Sequence, residues 1–345
     1  MREPLPDRRG AAAPRVSVLL PARDAAATLP TALRSVARQR DVALECVVVD
    51  DGSRDATPAV ARAWAARDRR FRVLSQPPAG IVAALGRGLA VCRGEVVARL
   101  DADDWMHRDR LALQLGELDA HPELAGVGCH VRLFPRRGLR PGRRAYESWL
   151  NSIDSPRRVR EEAFVECPLA HPGLALRREL LARYGYRECG WPEDYDLVLR
   201  LLADGCALGV VPRRLLGWRD APGRLSRRSP RYALDRFTAC KAAFLARGFL
   251  ARGPDYVLWG FGGTGKALRR ALLAHGKRPS HIVELHPRRL GETIHGAPVV
   301  RPEALGGLPR RPVVASVAGA AARAEIRAAA AALGLEELRD FVCAA

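Results

Sequence analysis

Two groups of carboxylates stand out by spacing: Asp50-Asp51, followed by Gly52-Ser53, and Asp101-Ala102-Asp103-Asp104. Each comes directly after a short apolar run, Cys46-Val-Val-Val49 in the first case and Val96-Val-Ala-Arg-Leu100 in the second. Carboxylates held close together repel one another and take up protons unless a cation offsets them. Hard oxygen donors of this kind suit Mg2+ or Mn2+, which bind through one or two carboxylates plus the phosphates of a substrate. Asp-Gly and Asp-x-Asp are also ordinary turn compositions, and aspartate often precedes a helix, so either cluster alone would carry little. Two of them, each at the end of an apolar run, carry more.

The elements needed to bring the clusters together can be read from the pattern. Strands are expected over residues 16–20, 46–49, 71–74 and 95–100, with Pro21 ending the first. Helical spacing fills residues 25–39, 57–67 and 81–92 between them. Near-continuous apolar strands alternating with helices indicate a parallel α/β sheet, and ligands of such sheets bind beyond the carboxyl ends of the strands, where both clusters fall. Residues 132–160 and 213–231 are rich in arginine and read as loop. A helix is expected from Pro192 to near Gly205, and another over residues 232–250. A fresh strand–helix–strand pattern then starts, with strands at 256–259 and 282–284 around a helix at 265–275.

The bulk numbers narrow the field. Hydrophobic residues make up 48% of the 345, enough for a packed core. No run approaches the roughly 18 apolar residues of a membrane helix, and residues 1–10 have no apolar segment like a signal peptide's, so a cytoplasmic location is expected. The net charge of +19 raises nucleic acid as a partner. That reading is set aside, because the cations are nearly all arginine and are spread along the chain; lysine occurs only at Lys241, Lys266 and Lys277. The positive field would attract a nucleotide diphosphate or an anionic lipid head group, which allows peripheral association with the inner face of a membrane. The eight cysteines show no metal-ligand spacing and read as reduced and buried.

Taken together, Val16-Ser-Val-Leu-Leu-Pro-Ala-Arg23, Val47-Val-Val-Asp-Asp-Gly-Ser-Arg-Asp-Ala-Thr57 and Gly94-Glu-Val-Val-Ala-Arg-Leu-Asp-Ala-Asp-Asp104 resemble family 2 glycosyltransferases over about residues 14–220. The resemblance implies a GT-A fold and inverting transfer of a sugar from a nucleotide-diphosphate donor, a UDP-sugar by preference, to a hydroxyl of a glycan or lipid-linked acceptor, in the synthesis of a bacterial surface glycan or glycolipid. By the same resemblance Pro21, Ala22 and Arg23 line the base and ribose. Asp50 or Asp51 bonds the base, Asp101 lies against the ribose or the metal, and Asp103 holds Mn2+ or Mg2+ on the diphosphate. One departure stands at Gly86, where the family usually has a polar residue; Arg87 is the substitute for that contact.

Inverting transfer needs a base for the acceptor hydroxyl and a cation for the leaving phosphates. Trp191-Pro-Glu-Asp-Tyr-Asp-Leu197 resembles the family's Glu-Asp pair at a helix start, with Asp194 matching the base and Glu193 beside it. Acids at this place are also favoured by the helix dipole, by about 0.3–1 kcal/mol, without any catalytic task. His171 falls in a segment resembling the acceptor side of the site, and Arg228 in one resembling a basic loop over the diphosphate; a structural histidine and a solvated loop are the plain alternatives.

Gly260-Phe-Gly262-Gly-Thr-Gly265 follows an expected strand and opens a helix, the context of a dinucleotide fingerprint, and Glu284 ends the next strand where a ribose-binding acid would stand. Residues 255–345 resemble the small Rossmann-like domain of bacterial sugar acyltransferases. The glycines would serve equally to tighten a strand-to-helix turn, which leaves a packing or partner module as the other reading. The expected organisation is a lead over 1–14, a GT-A domain over 15–228, a linking helix over 229–253 and a Rossmann-like α/β domain over 254–345. A scaffold that keeps the fold and binds nucleotide sugar without turnover is the rival to an enzyme. A nucleotidyltransferase is a second, but Pro21-Ala-Arg-Asp24 is no glycine-rich phosphate loop.

Overall fold

The computed structural model describes residues 13–345 apart from Pro222; of the expected lead, residues 1–12 lie outside the described residues. In chain order the elements are β1 (Val16–Ala22), α1 (Leu29–Ala37), β2 (Leu44–Asp51), α2 (Thr57–Arg67), β3 (Phe71–Gln76), α3 (Ile81–Leu89), β4 (Val96–Arg99), β5 (Trp105–Met106), α4 (Arg110–Ala120), β6 (Leu124–Phe134), α5 (Pro141–Leu150), α6 (Pro156–Glu162), β7 (Ala175–Arg177), α7 (Arg178–Tyr184), α8 (Glu193–Ala203) and β8 (Ala207–Arg219). They continue with α9 (Leu225–Arg228), α10 (Leu234–Arg247), β9 (Asp255–Trp259), α11 (Gly263–Leu273), β10 (Arg278–Val283), β11 (Thr293–Ile294), β12 (Ala297–Val300), β13 (Val313–Ala315), α12 (Ala320–Ala332) and β14 (Phe341–Cys343). Contacts divide the chain into two compact units. The first comprises Met1–Phe134, His171–Gly185 and Arg213–Arg219; the second comprises Pro135–Ala170, Tyr186–Pro212 and Asp220–Ala345.

Among the described residues, one sheet has the order β3-β2-β1-β4-β7-β6-β8-β5. Its β3-β2-β1-β4 part is parallel, while β7 joins β4 and β6 antiparallel and β5 joins β8 antiparallel. Every residue of β1, β2 and β4 is buried, as parallel strands covered on both faces must be. Pro21 does not end β1, contrary to expectation. The strand runs on to Ala22, opposite Asp50, whereas pairing with β4 stops at Leu19, so Pro21 sits where the sheet has already opened on one side.

Two stretches read as loop are ordered elements. Residues 132–160 contain the end of β6 and helices α5 and α6; residues 213–231 contain the second half of β8 and α9. The apolar pattern was hidden because the arginine-rich α5 buries Glu147 alongside Leu150, and because Pro212, Arg213 and Arg214 form an exposed break inside β8. Long arginine side chains cover apolar surface without announcing it as hydrophobic.

The second sheet has the order β11-β12-β10-β9-β13-β14, parallel except for the β11–β12 hairpin. Its strands alternate faces as the pleat requires. Tyr256, Leu258 and Val314 pack with Leu268 and Leu272 of α11 and Leu245 of α10, while Val257, Trp259, Val313 and Ala315 pack with Ile326 and Ala330 of α12. Mid-chain helices are bonded into this same unit. The buried Glu162 carboxylate at the end of α6 accepts from Trp149 Nε1 at 2.7 Å and meets Arg158 at 2.7 Å and Arg327 of α12 at 3.0 Å. Lys241 of α10 donates to the carbonyls of Val165 at 3.0 Å and Ala344 at 2.7 Å, and burial pulls its ammonium down to about 8. The cysteines are free thiols, and six of the eight are buried, as the composition suggested.

Candidate active site

At the carboxyl edge of the first sheet, the loops after β1 and β2 are stitched together. Asp24 N donates to Ser53 Oγ at 3.0 Å, and Arg54 N donates back to Asp24 Oδ1 at 2.7 Å. Ala25 N and Ala26 N donate to Thr57 Oγ1 and Asp55 Oδ2 at 2.7 and 3.0 Å. Pro21 and Ala22 are buried at the end of β1, and Arg23 follows, exposed, with its guanidinium 3.7 Å from Asp51. The Asp51 carboxylate accepts from Gln76 Nε2 at 2.7 Å, Ala79 N at 2.8 Å and Gly80 N at 2.9 Å, which ties the end of β2 to the loop leading into α3. Gly80 needs its φ of +87° to enter that helix. Asp50, also buried, accepts from Ser53 N at 3.3 Å. Gly86 and Arg87 lie exposed on α3.

The end of β4 is organised by an arginine that the apolar pattern conceals. Arg99, 2% exposed, donates to the carbonyls of Leu19 and Leu100 at 3.0 Å each, and its terminal nitrogen meets Asp101 at 2.5 Å. Its Nε reaches His171 Nε2 at 3.3 Å. Burial and the Arg99 charge hold His171 well below the ordinary histidine range, so the ring is neutral and accepts from Arg99. His171 therefore stands behind Asp101, orienting its arginine. Arg110, wholly buried, donates to the carbonyls of Pro172 at 2.8 Å and Arg99 at 3.0 Å, clamping the 3-10 turn His171–Gly173 to β4.

Asp101, Asp103 and Asp104 bring carboxylate oxygens within 4.8 Å of one another, an all-oxygen set that fits Mg2+ or Mn2+. Asp104 is buried and accepts from Arg219 N at 2.7 Å; Arg219 Nε donates to the Asp103 carbonyl at 2.8 Å while its guanidinium lies 4.6 Å over the Phe134 ring. Asp103 is half-buried at this edge, between Asp101, which Arg99 bonds, and Asp104, which accepts from Arg219 N.

In the second unit, Glu193, Asp194 and Asp196 occupy the first turn of α8. Glu193 accepts from Tyr232 Oη at 2.7 and 2.8 Å and lies 3.6 Å from Arg231. Asp196 accepts from Trp191 Nε1 at 3.1 Å and Arg200 Nε at 2.7 Å. Asp194 is different. It is half-buried and accepts from Tyr195 N at 2.8 Å, and burial, then the Glu193 charge, push its carboxyl up to about 7; Glu166, itself raised by burial, adds to the effect. A carboxyl that burial raises towards neutrality is a candidate general base, beside its favourable place in the first turn of a helix. Arg228 ends the short helix α9 and is exposed.

In the C-terminal sheet, Gly260 has φ +96° at the end of β9, and Gly262 and Gly265 lead into α11. Glu284 comes directly after β10 and accepts from Phe261 N at 3.4 Å and from Arg289 at 3.0 Å, so an arginine already stands beside the expected ribose acid. Arg99, Arg110 and Arg219 were not singled out from the sequence. The one available signal was Arg99 itself, a cation inside an otherwise apolar strand.

Residues 17–185 match the family described as Glycosyl transferase family 2. The chain is 36% identical over 96 residues to the putative glycosyltransferase EpsH of Bacillus subtilis, a match that spans 28% of either chain. It is 27% identical over 238 residues to EpsE of the same organism, covering 66% of this chain and 82% of that one. It is 29% identical over 202 residues to the amylovoran biosynthesis glycosyltransferase AmsE of Erwinia amylovora, covering 58% and 73%. Two solved structures share the fold: S. aureus TarS 1–349 with UDP-GlcNAc (TM-score 0.55, 17% identity, 76% of this chain and 72% of that one) and the mannosyltransferase PcManGT from Pyrobaculum calidifontis with GDP-Man and Mn2+ (0.53, 23%, 77% and 70%). Residues 17–185, which carry the acidic clusters at the carboxyl ends of β2 and β4, are a glycosyl transferase family 2 region.

Proposed function

We propose that the protein is an inverting, metal-dependent glycosyltransferase that moves a sugar from a nucleoside-diphosphate donor, a UDP-sugar by preference, to a hydroxyl of a glycan or lipid-linked acceptor in bacterial surface polysaccharide synthesis. The observation that carries this reading is the pair of unlike acidic centres: three aspartates converging beyond β4, and one aspartate on α8 raised to about 7. The names of AmsE and of the two nucleotide-sugar complexes support it.

In this reading Pro21, Ala22 and Arg23 line the base and ribose, Asp50 or Asp51 bonds the base, and Asp101 orients the ribose or the cation. Asp103 would hold Mn2+ or Mg2+, which when bound supplies positive charge to the departing diphosphate. Asp194, raised by burial and then by the Glu193 charge, accepts the proton of the attacking acceptor hydroxyl. His171 holds Arg99, and Arg228 supplies a phosphate contact from α9. We read residues 15–228 as the transferase domain, 229–253 as a linking helix and 254–345 as a Rossmann-like domain. We place the protein at the cytoplasmic face of a membrane, drawn there by its net charge of +19; among the described residues no helix is long and apolar enough to cross a membrane.

The test is a panel of UDP- and GDP-sugars with Mn2+ and simple glycan acceptors, followed by NMR of the product's anomeric centre. Inverted configuration, lost on addition of EDTA, is expected. Retained configuration, or turnover indifferent to EDTA, would refute the mechanism.

A further inference from the structure

The C-terminal sheet has its own topological switch. From β9 the chain passes through α11 to β10 on one side, while β13 pairs with β9 on the other. In a doubly wound sheet the crevice beyond the carboxyl ends of such a strand pair is where ligands settle. The loop at that point is Gly260-Phe-Gly-Gly-Thr-Gly265.

Its glycines are there for different physical reasons. Gly260 has φ +96°. Gly265 must be glycine because a Cβ would fall 2.1 Å from the Gly260 carbonyl oxygen. Gly262 and Gly263 have no such need. Gly262 has φ −74°, and a Cβ on either would meet nothing within 4 Å. What the missing side chains do there is leave the first turn of the eleven-residue helix α11 bare, and no side chain caps it. Bare amide groups at a helix start favour an anion.

A second observation points to the same spot. Ser316, directly after β13, is 1% exposed, and its Oγ has no hydrogen-bond partner among the described residues. Continuing the alternation from Val314, which packs on the α11 side, the hydroxyl faces α11. Thr264 in the first turn of α11 donates to the Ser316 carbonyl at 2.9 Å, which fixes the two segments together. A buried hydroxyl without a partner is costly, and a phosphate oxygen would satisfy it. Beside the loop lies a cavity of about 390 Å3 lined by Phe261, Lys266, Arg269, Arg270 and His295. It is cationic, aromatic and large enough for a nucleobase.

We propose that this crevice is a second nucleotide site, separate from the transferase donor site. The phosphates sit on the first turn of α11 and the Ser316 hydroxyl, and the base sits in the cavity beside Phe261 and His295. Among the described residues the carboxylate bonded to this loop is Glu284, which Arg289 pairs, and no cluster of three attends it, so binding needs no divalent cation, whereas donor binding is read as metal-dependent.

Calorimetric titration of the full chain in EDTA with ADP, UDP and inorganic pyrophosphate tests this. One equivalent of ADP or UDP should bind, more tightly than pyrophosphate. Gly263→Asp puts a carboxylate on the anion's place while suiting a helix start, so it should keep the melting temperature and weaken nucleotide binding at least tenfold. Ser316→Ala should weaken it several-fold, and Gly262→Val offers a neutral block. Absence of nucleotide binding at millimolar concentration, or wild-type affinity in well-folded Gly263→Asp and Gly262→Val, would overturn the site. Pyrophosphate binding as tightly as ADP and UDP would overturn the nucleotide assignment.

Discussion

Replacing Asp194 by asparagine should slow the enzyme and stabilise the fold at once. The amide keeps the size and still accepts from Tyr195 N, but it cannot take a proton from an acceptor. Loss of a positioned base lowers turnover by about 10²–10⁴. The stability effect follows from the raised carboxyl. A group moved from an ordinary 3.8 to about 7 binds more protons folded than unfolded, so its stabilising share is complete below pH 3.8 and is lost as pH rises to 7. At 1.36 kcal/mol per tenfold change the ceiling is about 4 kcal/mol at pH 8, and partial exposure reduces it to roughly 1–3 kcal/mol. Asparagine abolishes that penalty. Melting curves at pH 5 and pH 8 should therefore separate variant from wild type more at the higher pH, because only part of the loss is complete at pH 5, with the variant higher by about 2–4 °C for each kcal/mol. In kinetics the limb of kcat/KM that rises near pH 7 should disappear; its midpoint belongs to the cluster with Glu193 and Glu166 rather than to Asp194 alone. A variant that melts lower than wild type at pH 8 would show that the helix dipole outweighs burial. Near-wild-type turnover would remove Asp194 from the chemistry.

Asp103→Ala should abolish Mn2+-dependent donor binding in calorimetry while keeping a cooperative melt, since the backbone carbonyl that accepts from Arg219 is retained; unchanged metal binding would disprove its role. Arg99→Met should cost about 3–5 kcal/mol in urea unfolding, because Asp101 and two carbonyls at the end of β4 lose their buried partner. Glu162→Ala should cost about 1.5–3 kcal/mol by removing the acceptor of Trp149, Arg158 and Arg327, the two arginines keeping Glu161 and Glu337, and a loss below about 0.5 kcal/mol would show that solvent already screens the group.

The parallel half of the first sheet was legible because its strands are apolar on both faces, and the acidic clusters mark their ends. Helix α2 was read to its observed limits, Thr57 and Arg67. The partners of the acids were not legible. Arg99, Arg110 and Arg219 reach across 72, 62 and 116 positions to His171, Pro172 and Asp103, and no local pattern encodes such pairs. The same arginine richness that suggested loops over residues 132–160 covers helices whose buried faces include acids, as Glu162 does on α6. Asp194 was singled out by motif, but its departure from Glu193 and Asp196, the former held by Tyr232 and Arg231 and the latter by Trp191 and Arg200, needed coordinates.

The bonds that join α6 and α10 to the last elements of the second unit set an order of events during synthesis. The first unit has all its strands once Arg219 has left the ribosome, whereas Glu162 and Lys241 must wait for Arg327 and Ala344. At about 5–20 residues per second, that interval lasts on the order of 6–25 seconds. Throughout it, the carboxyl edge of the first unit, with its acidic clusters, can already be formed while α8, bearing Asp194, has no finished unit to belong to. Under the proposed function, a nascent chain would thus gain the capacity to hold a donor before it gains the base that spends it, and a chain stalled late in translation would bind nucleotide without turning it over.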